Sequence, residues 1–112
     1  MAQDFERYGL NAVGASAVTV HTSNSDDAII SVRLANITTS TINADVFITS
    51  SVTGGSQNHY LIKNAPIVAG GSLELIDGGS KLVMQSGDVV KAQSDTASSL
   101  SVWMSTVDAI SS

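Results

Sequence analysis

The chain has 112 residues, 43% of them hydrophobic and only 13% charged, and ten acids against five bases leave a net charge of -5. That length is one domain, and the apolar share excludes a disordered chain. The lack of a basic surplus excludes duplex nucleic acid as a partner, since neutralising phosphates takes clustered cations, and the absence of cysteine leaves neither a disulfide framework nor a thiolate zinc site.

Two of the five aromatics, Phe5 and Tyr8, lie in the first eight residues among Asp4, Glu6 and Arg7, and small residues follow from Gly9 to Ala17. This reads as an N-terminal arm over residues 1–12, ahead of a domain over 13–112. Such a segment is held only if something ties it down. Its aromatics either dock on a neighbouring chain or close the bottom of their own domain. Asp4 and Glu6 stand where a signal peptide needs a basic and then an apolar region. No apolar run reaches membrane-spanning length. A protein that stays in the cytosol, or is assembled there into something larger, is expected.

From Val18 onward short apolar alternations are separated by polar turns. Val18 and Val20 alternate with Thr19 and His21, and residues 22–27 are a turn by composition. Ile30, Val32 and Leu34 give the next strand an inward face within residues 28–37, and Thr38 to Thr41 is a hydroxyl-rich hairpin candidate. Val46 and Ile48 then face the core with Phe47 opposite. Residues 53–56 break that strand, and Tyr60 to Ala65 ends at Pro66. Leu73 and Leu75 sit on a strand over 72–76, bounded by Gly70-Gly71 and Asp77-Gly78-Gly79. Strands over 81–85 and 89–93, the first with Leu82 and Met84, flank a tight turn at Ser86-Gly87-Asp88. The last strand runs over 99–107 and turns Leu100, Val102 and Met104 inward and Trp103 outward. The Gly-Gly-Ser tripeptides at Gly54, Gly70 and Gly78 read as turns, where glycine supplies positive φ. The expected fold is all-β: one antiparallel β-sandwich, Ig-like or jelly-roll-like, of seven to eight strands with a short N-terminal arm.

Candidate chemistry is sparse. His21 and His59 are the only histidines and show no zinc-ligand spacing. With eighteen serines, a Ser/His/Asp set assembled on paper carries no information, and no Gly-x-Ser-x-Gly elbow is present. Glu74, Asp77, Asp88 and Asp95 fall at or near turns without the Asp-x-Asp-x-Asp-Gly pattern of a calcium loop, so they read as turn-capping acids. No phosphate-binding glycine motif occurs. Asn36-Ile37-Thr38 is a formal glycosylation sequon, and Asn36 reads as a strand-end or turn residue. No catalytic residue, metal or cofactor is expected, and the chain is read as no enzyme. Phe5, Tyr8, Phe47 and Trp103 are the candidate interface anchors, because large aromatics concentrate binding energy. The alternative for Trp103 and Phe47 is coverage by a loop or by the N-terminal arm, and for Phe5 and Tyr8 it is closure of the bottom of their own sandwich.

The stretch from Tyr60 to Leu75, followed by Asp77 to Lys91, resembles small virion structural proteins of tailed bacteriophages. So do Arg7-Tyr8-Gly9-Leu10-Asn11-Ala12-Val13-Gly14 and Ala97-Ser98-Ser99-Leu100-Ser101-Val102. The shared motifs are turn chemistry and bring no catalytic residues with them. The resemblance implies a virion location after assembly in the host bacterial cytoplasm. The implied role is head decoration or cement. The partners would be the major capsid protein or another virion protein and further copies of the chain itself, as a trimer, with no nucleic acid, membrane or small-molecule substrate. A neck or tail accessory, such as an adaptor or a fibre base, is the alternative reading. A carbohydrate-binding β-sandwich is the third, and aromatics scattered along the sequence argue against it.

Overall fold

A computed structural model describes residues 4–50, 56–76 and 82–108. Within them lie nine strands and no helix: β1 (Asp4–Val13), β2 (Val18–Thr22), β3 (Asp27–Asn36), β4 (Ile42–Ser50), β5 (Gln57–Ile67), β6 (Ser72–Glu74), β7 (Leu82–Met84), β8 (Val89–Ser94) and β9 (Leu100–Asp108). They form two antiparallel sheets. The front sheet has the order β1-β9-β3-β6, with β7 also paired to β3, and the back sheet has the order β2-β8-β4-β5. Apart from β4–β5 and β6–β7, each consecutive pair of strands crosses from one sheet to the other. The expected antiparallel sandwich is present, and its strand order is that of a jelly roll.

Period-two alternation builds the core. Ile29, Val32 and Leu34 of β3, Met84 of β7 and Leu100, Val102 and Met104 of β9 point back. They meet Ala44 and Val46 of β4 and Val90 and Ala92 of β8, and all are essentially inaccessible. Burying such a side chain contributes about 1.5–3 kcal/mol before packing terms. Ile30 is not among them. The β3–β9 register slips between Ile29 and Ser31, so Ile30 is the extra residue of a bulge and Ile29 takes the core position. Ile48, Leu73, Leu75 and Leu82 are half-buried and lean on the rim of this core.

Two further expectations change. Thr38 to Thr41 is not a hairpin, because β3 and β4 belong to different sheets. It is an arch, and the buried Asn36 pins it. The Asn36 side-chain amide donates to the carbonyls of Ser40 (2.7 Å) and Ile67 (2.9 Å), and its Oδ1 accepts from the Thr38 amide (2.9 Å) and hydroxyl (2.8 Å). With both its amide protons engaged, the sequon asparagine is a strand-end residue closed to modification. Pro66 does not end its strand, since β5 runs to Ile67. A proline is tolerated there because β5 is an edge strand. The tight turn at Ser86-Gly87-Asp88 is present, with the Asp88 amide donating to the Gln85 carbonyl (3.0 Å) and Gly87 at φ +96°. The proposed turns at Thr53-Gly54-Gly55 and Asp77-Gly78-Gly79, and Lys81, lie outside the described residues.

The largest correction concerns the N-terminal segment. From Asp4 it is not a detached arm but the edge strand β1, paired with β9 in unbroken register from Asp4↔Asp108 to Leu10↔Val102. Tyr8 and Leu10 pack against the core and Val13 belongs to it. A backbone with that many ladder partners and an apolar inner row is part of the domain. Deleting residues 1–10, which would spare a domain with a detached arm, is therefore expected to cost the domain its cooperative thermal transition and much of its β circular dichroism. An unchanged melting curve would show β1 to be dispensable.

Candidate functional site

The residues with most chemical potential lie in two places between the sheets and one on the front face. At one side of the sandwich, where edges β1 and β2 approach, the Tyr8 ring stacks on His21 with centroids 3.9 Å apart and planes 20° from parallel. His21 Nε2 lies 3.2 Å from Oδ2 of Asp27, which is 1% exposed. The Ser23 hydroxyl donates to the same oxygen (2.7 Å), and the Ser25 hydroxyl donates to Oδ1 (2.7 Å). Ser, His and Asp are thus together, but the serine bonds the carboxylate rather than the imidazole. Among the described residues no imidazole is placed to take the serine proton, as a Ser-His-Asp triad requires. The arrangement ties the β2–β3 turn and staples two sheet edges.

At one end of the sandwich Ile48, Ser50, His59, Val83, Gln85 and Asp88 line a cavity of about 250 Å3. Asp88 is held there, accepting from the Ser50 hydroxyl (2.7 Å) and from the Gln85 amide (3.0 Å). His59 Nε2 is buried and has no hydrogen-bond partner. Sequence reasoning placed His59 at a strand end, but not on the inner face. Among the described residues no three His, Asp or Glu side chains are grouped to hold a metal ion.

Three further acids cap turns and bulges. Glu74 lies across the β3 backbone, accepting from the Ser31 hydroxyl (3.1 Å), the Val32 amide (3.1 Å) and Arg33 Nε (3.4 Å). Asp45 accepts from the amide of Asn64 (2.6 Å), which stands at φ +53° in the bulge of β5. The Asn43 amide, foremost, and the Thr96 hydroxyl donate to Asp95 and hold its carboxyl below the usual aspartate range.

The four candidate anchors separate. Phe47 points outward as expected, yet is only 5% exposed. Its ring lies 5.0 Å from that of Tyr60, which carries Lys63 Nζ 4.5 Å above its centroid. Tyr8 is half-buried against His21. Neither offers a free ring. Phe5 is 80% exposed and Trp103 52% exposed, and the topology puts both on the outer front face. There the β1 row Phe5, Arg7, Gly9, Asn11 runs beside the β9 row Val107, Ser105, Trp103, Ser101. Gly9 is directly opposite Trp103, and Arg33 of β3 flanks the indole on its other side. A Cβ at Gly9 would meet Trp103 Cε3 at 3.1 Å and Cζ3 at 3.2 Å, so the indole occupies the notch that the glycine leaves. A depression of about 490 Å3 opens beside it, lined in part by Arg7, Asn11 and Ser101. Sequence reasoning missed these three. The only local sign was a glycine inside an alternating strand, which marks a close approach.

No protein-family model matches the chain, and no curated protein matches it. Among solved structures, it is similar to a protein of Bacillus endospore appendages, described as disulfide-linked pili, at 20% identity and a TM-score of 0.52, over 98% of this chain and 88% of that one. It is also similar to a chain of the T13 viral particle of infectious bursal disease virus, IBDV (9% identity, TM-score 0.56), and to VP2 of the subviral particle of that virus (11% identity, TM-score 0.53). It covers 31% and 33% of those two chains, so it spans about a third of their length. At these identities the likeness is one of fold. All three belong to assembled structures, a pilus and two viral particles.

The buried polar groups make opposite predictions. Asp27→Ala leaves the Ser25 hydroxyl without its acceptor, while the Ser23 hydroxyl keeps the Ser25 carbonyl at 2.6 Å, and is expected to cost about 1–3 kcal/mol. His59→Leu removes an unsatisfied atom and is expected to be neutral or stabilising. Urea unfolding of the two variants measures both. Asp95, depressed when folded, adds stability above its unfolded pKa and loses it as pH falls through the folded value. Thr96→Ala is expected to move its carboxyl titration, read by NMR, back up toward the ordinary aspartate range.

Proposed function

We propose that this chain is a non-enzymatic structural protein of a bacteriophage virion, a decoration or cement protein that associates with itself and with the major capsid protein. The observation that carries the proposal is the free edge of β1. Three of the four sheet edges are poor templates for another strand. β2 has five residues and a register shift. The opposite front edge consists of β6 and β7, three residues each. β5 is interrupted by bulges, by Asn64 at positive φ and by Pro66. Short strands, bulges and prolines are how sheet edges are kept from pairing. β1 has none of these from Asp4 to Leu10, and it presents Phe5 almost wholly to solvent. A regular, proline-free edge with an exposed aromatic suits addition to a neighbouring chain.

Further support comes from the polar clusters, which are spent on turns and bulges, and from the assembled nature of the structural neighbours. The resemblance of residues 60–75 and 77–91 to tailed-phage virion proteins gives the reading its phage context. The neck or tail alternative rests on that resemblance equally, and copy number separates the two. Quantitative mass spectrometry of purified particles is expected to find hundreds of copies for a shell protein, whereas a dozen or fewer places it at the neck or tail. Phe5→Asp is expected to reduce self-association in sedimentation velocity and occupancy on particles, with the thermal transition retained. Unchanged association and occupancy would refute the β1 edge as the interface.

A further inference from the structure

We propose that the outer front face at Trp103 is a binding site for an acidic sugar, a uronate unit of a polysaccharide. The inference is independent of the virion reading. Aromatics spread along the chain argued against sugar binding, but the sheet brings Phe5 and Trp103 to one face, about 13 Å apart along the strands at the usual rise.

The site has the parts that a pyranose needs. The indole of Trp103 is seated over Gly9 and half-exposed, an aromatic surface for the C–H face of a sugar ring. The adjoining depression of about 490 Å3 is of a size for small ligands. Arg7, Asn11 and Ser101 line it. No hydrogen bond or ion pair occupies their side chains among the described residues. That sets them apart from Asn36, Asp45, Glu74, Asp88 and Asp95, each of which is engaged within the domain. Asn11 offers an amide donor and acceptor and Ser101 a hydroxyl, the complement of sugar hydroxyl groups.

Arginine supplies the sign of the ligand. The chain has only two arginines, and both are on this face. Arg33 is matched by Glu74 (3.4 Å), while Arg7 has no ion-pair partner among the described residues, in a protein of net charge -5. A planar guanidinium pairs a carboxylate through two parallel hydrogen bonds. A ring carrying a carboxylate, with its apolar face on Trp103, its acid on Arg7 and its hydroxyls on Asn11 and Ser101, uses every group present. A protein knob uses them less well, because the centre of a protein interface is apolar, and here one ring is surrounded by three idle polar groups. An open sheet face also lets a polymer pass through, so an internal unit of the chain binds.

Trp103 is the only tryptophan, so its fluorescence reports the site directly. Oligogalacturonate is the probe, with its methyl ester, which keeps the ring and removes the charge, as the control. Titration is expected to shift Trp103 emission with the acid, and the ester is expected to bind roughly tenfold or more weakly, the loss set by one charge-assisted hydrogen bond. By calorimetry Arg7→Gln is expected to lose the same factor and to bind acid and ester alike, and Trp103→Ala to abolish binding, with circular dichroism and sedimentation behaviour unchanged. Three results would overturn the assignment. One is no response to the acid. The second is equal binding of acid and ester by the unaltered protein. The third is an emission shift that follows protein concentration and ignores sugar, which would make the face a protein interface. Phe5→Asp tests self-association separately, so failure here leaves the structural reading standing.

Discussion

Insertion of the last strand between the first and the third is the constraint on which the molecule depends. β9 pairs with β1 on one side and β3 on the other, so the front sheet stays incomplete until both ends of the chain have met. Its inward residues Leu100, Val102 and Met104 lie at the centre of the core, and its outward Trp103 lies at the centre of the front face. Core, edge and candidate site are thus three consequences of one pairing. Loop closure over nearly the whole chain must precede the contacts that reward it, which makes slow folding the expected companion of this topology.

Polar side chains do the joining that apolar packing leaves undone. A chain with few charges and many hydroxyls must cross between sheets repeatedly, and every crossing exposes backbone groups that need partners. Asn36 closes the β3–β4 arch, Asp27 the β2–β3 turn and Asp88 the β7–β8 turn. Asp95 and Asn43 exchange bonds that tie the β8–β9 loop to β4. His21, Ser23, Asp27 and Asp88, which suggest catalysis by residue type alone, are therefore committed to holding turns. Arg7, Asn11 and Ser101, which surround Trp103 on the front face, stay uncommitted, and so does the open edge of β1. These two features divide the functional reading: an edge that recruits backbone and a face that recruits a ligand.

Alternation by itself determined much of this protein. The all-β class, the inward faces of β3, β4 and β9, the outward direction of Phe47 and Trp103 and the turn at Ser86-Gly87-Asp88 follow from period two and turn chemistry, which are local. Tertiary structure alone decided the rest. Bulges are set by the partner strand, so the exchange of Ile29 for Ile30 in the core was invisible. The arch at Thr38 to Thr41 looked like a hairpin because a sequence does not say to which sheet a strand goes. Phe47 pointed outward as read, but Tyr60, thirteen residues on, covers it. The N-terminal segment seemed detached because its partner, β9, is almost the whole chain away, and for the same reason Arg7 and Trp103 became neighbours only in the folded sheet. Facing is written every second residue, whereas proximity is created by long-range pairing that no local pattern encodes.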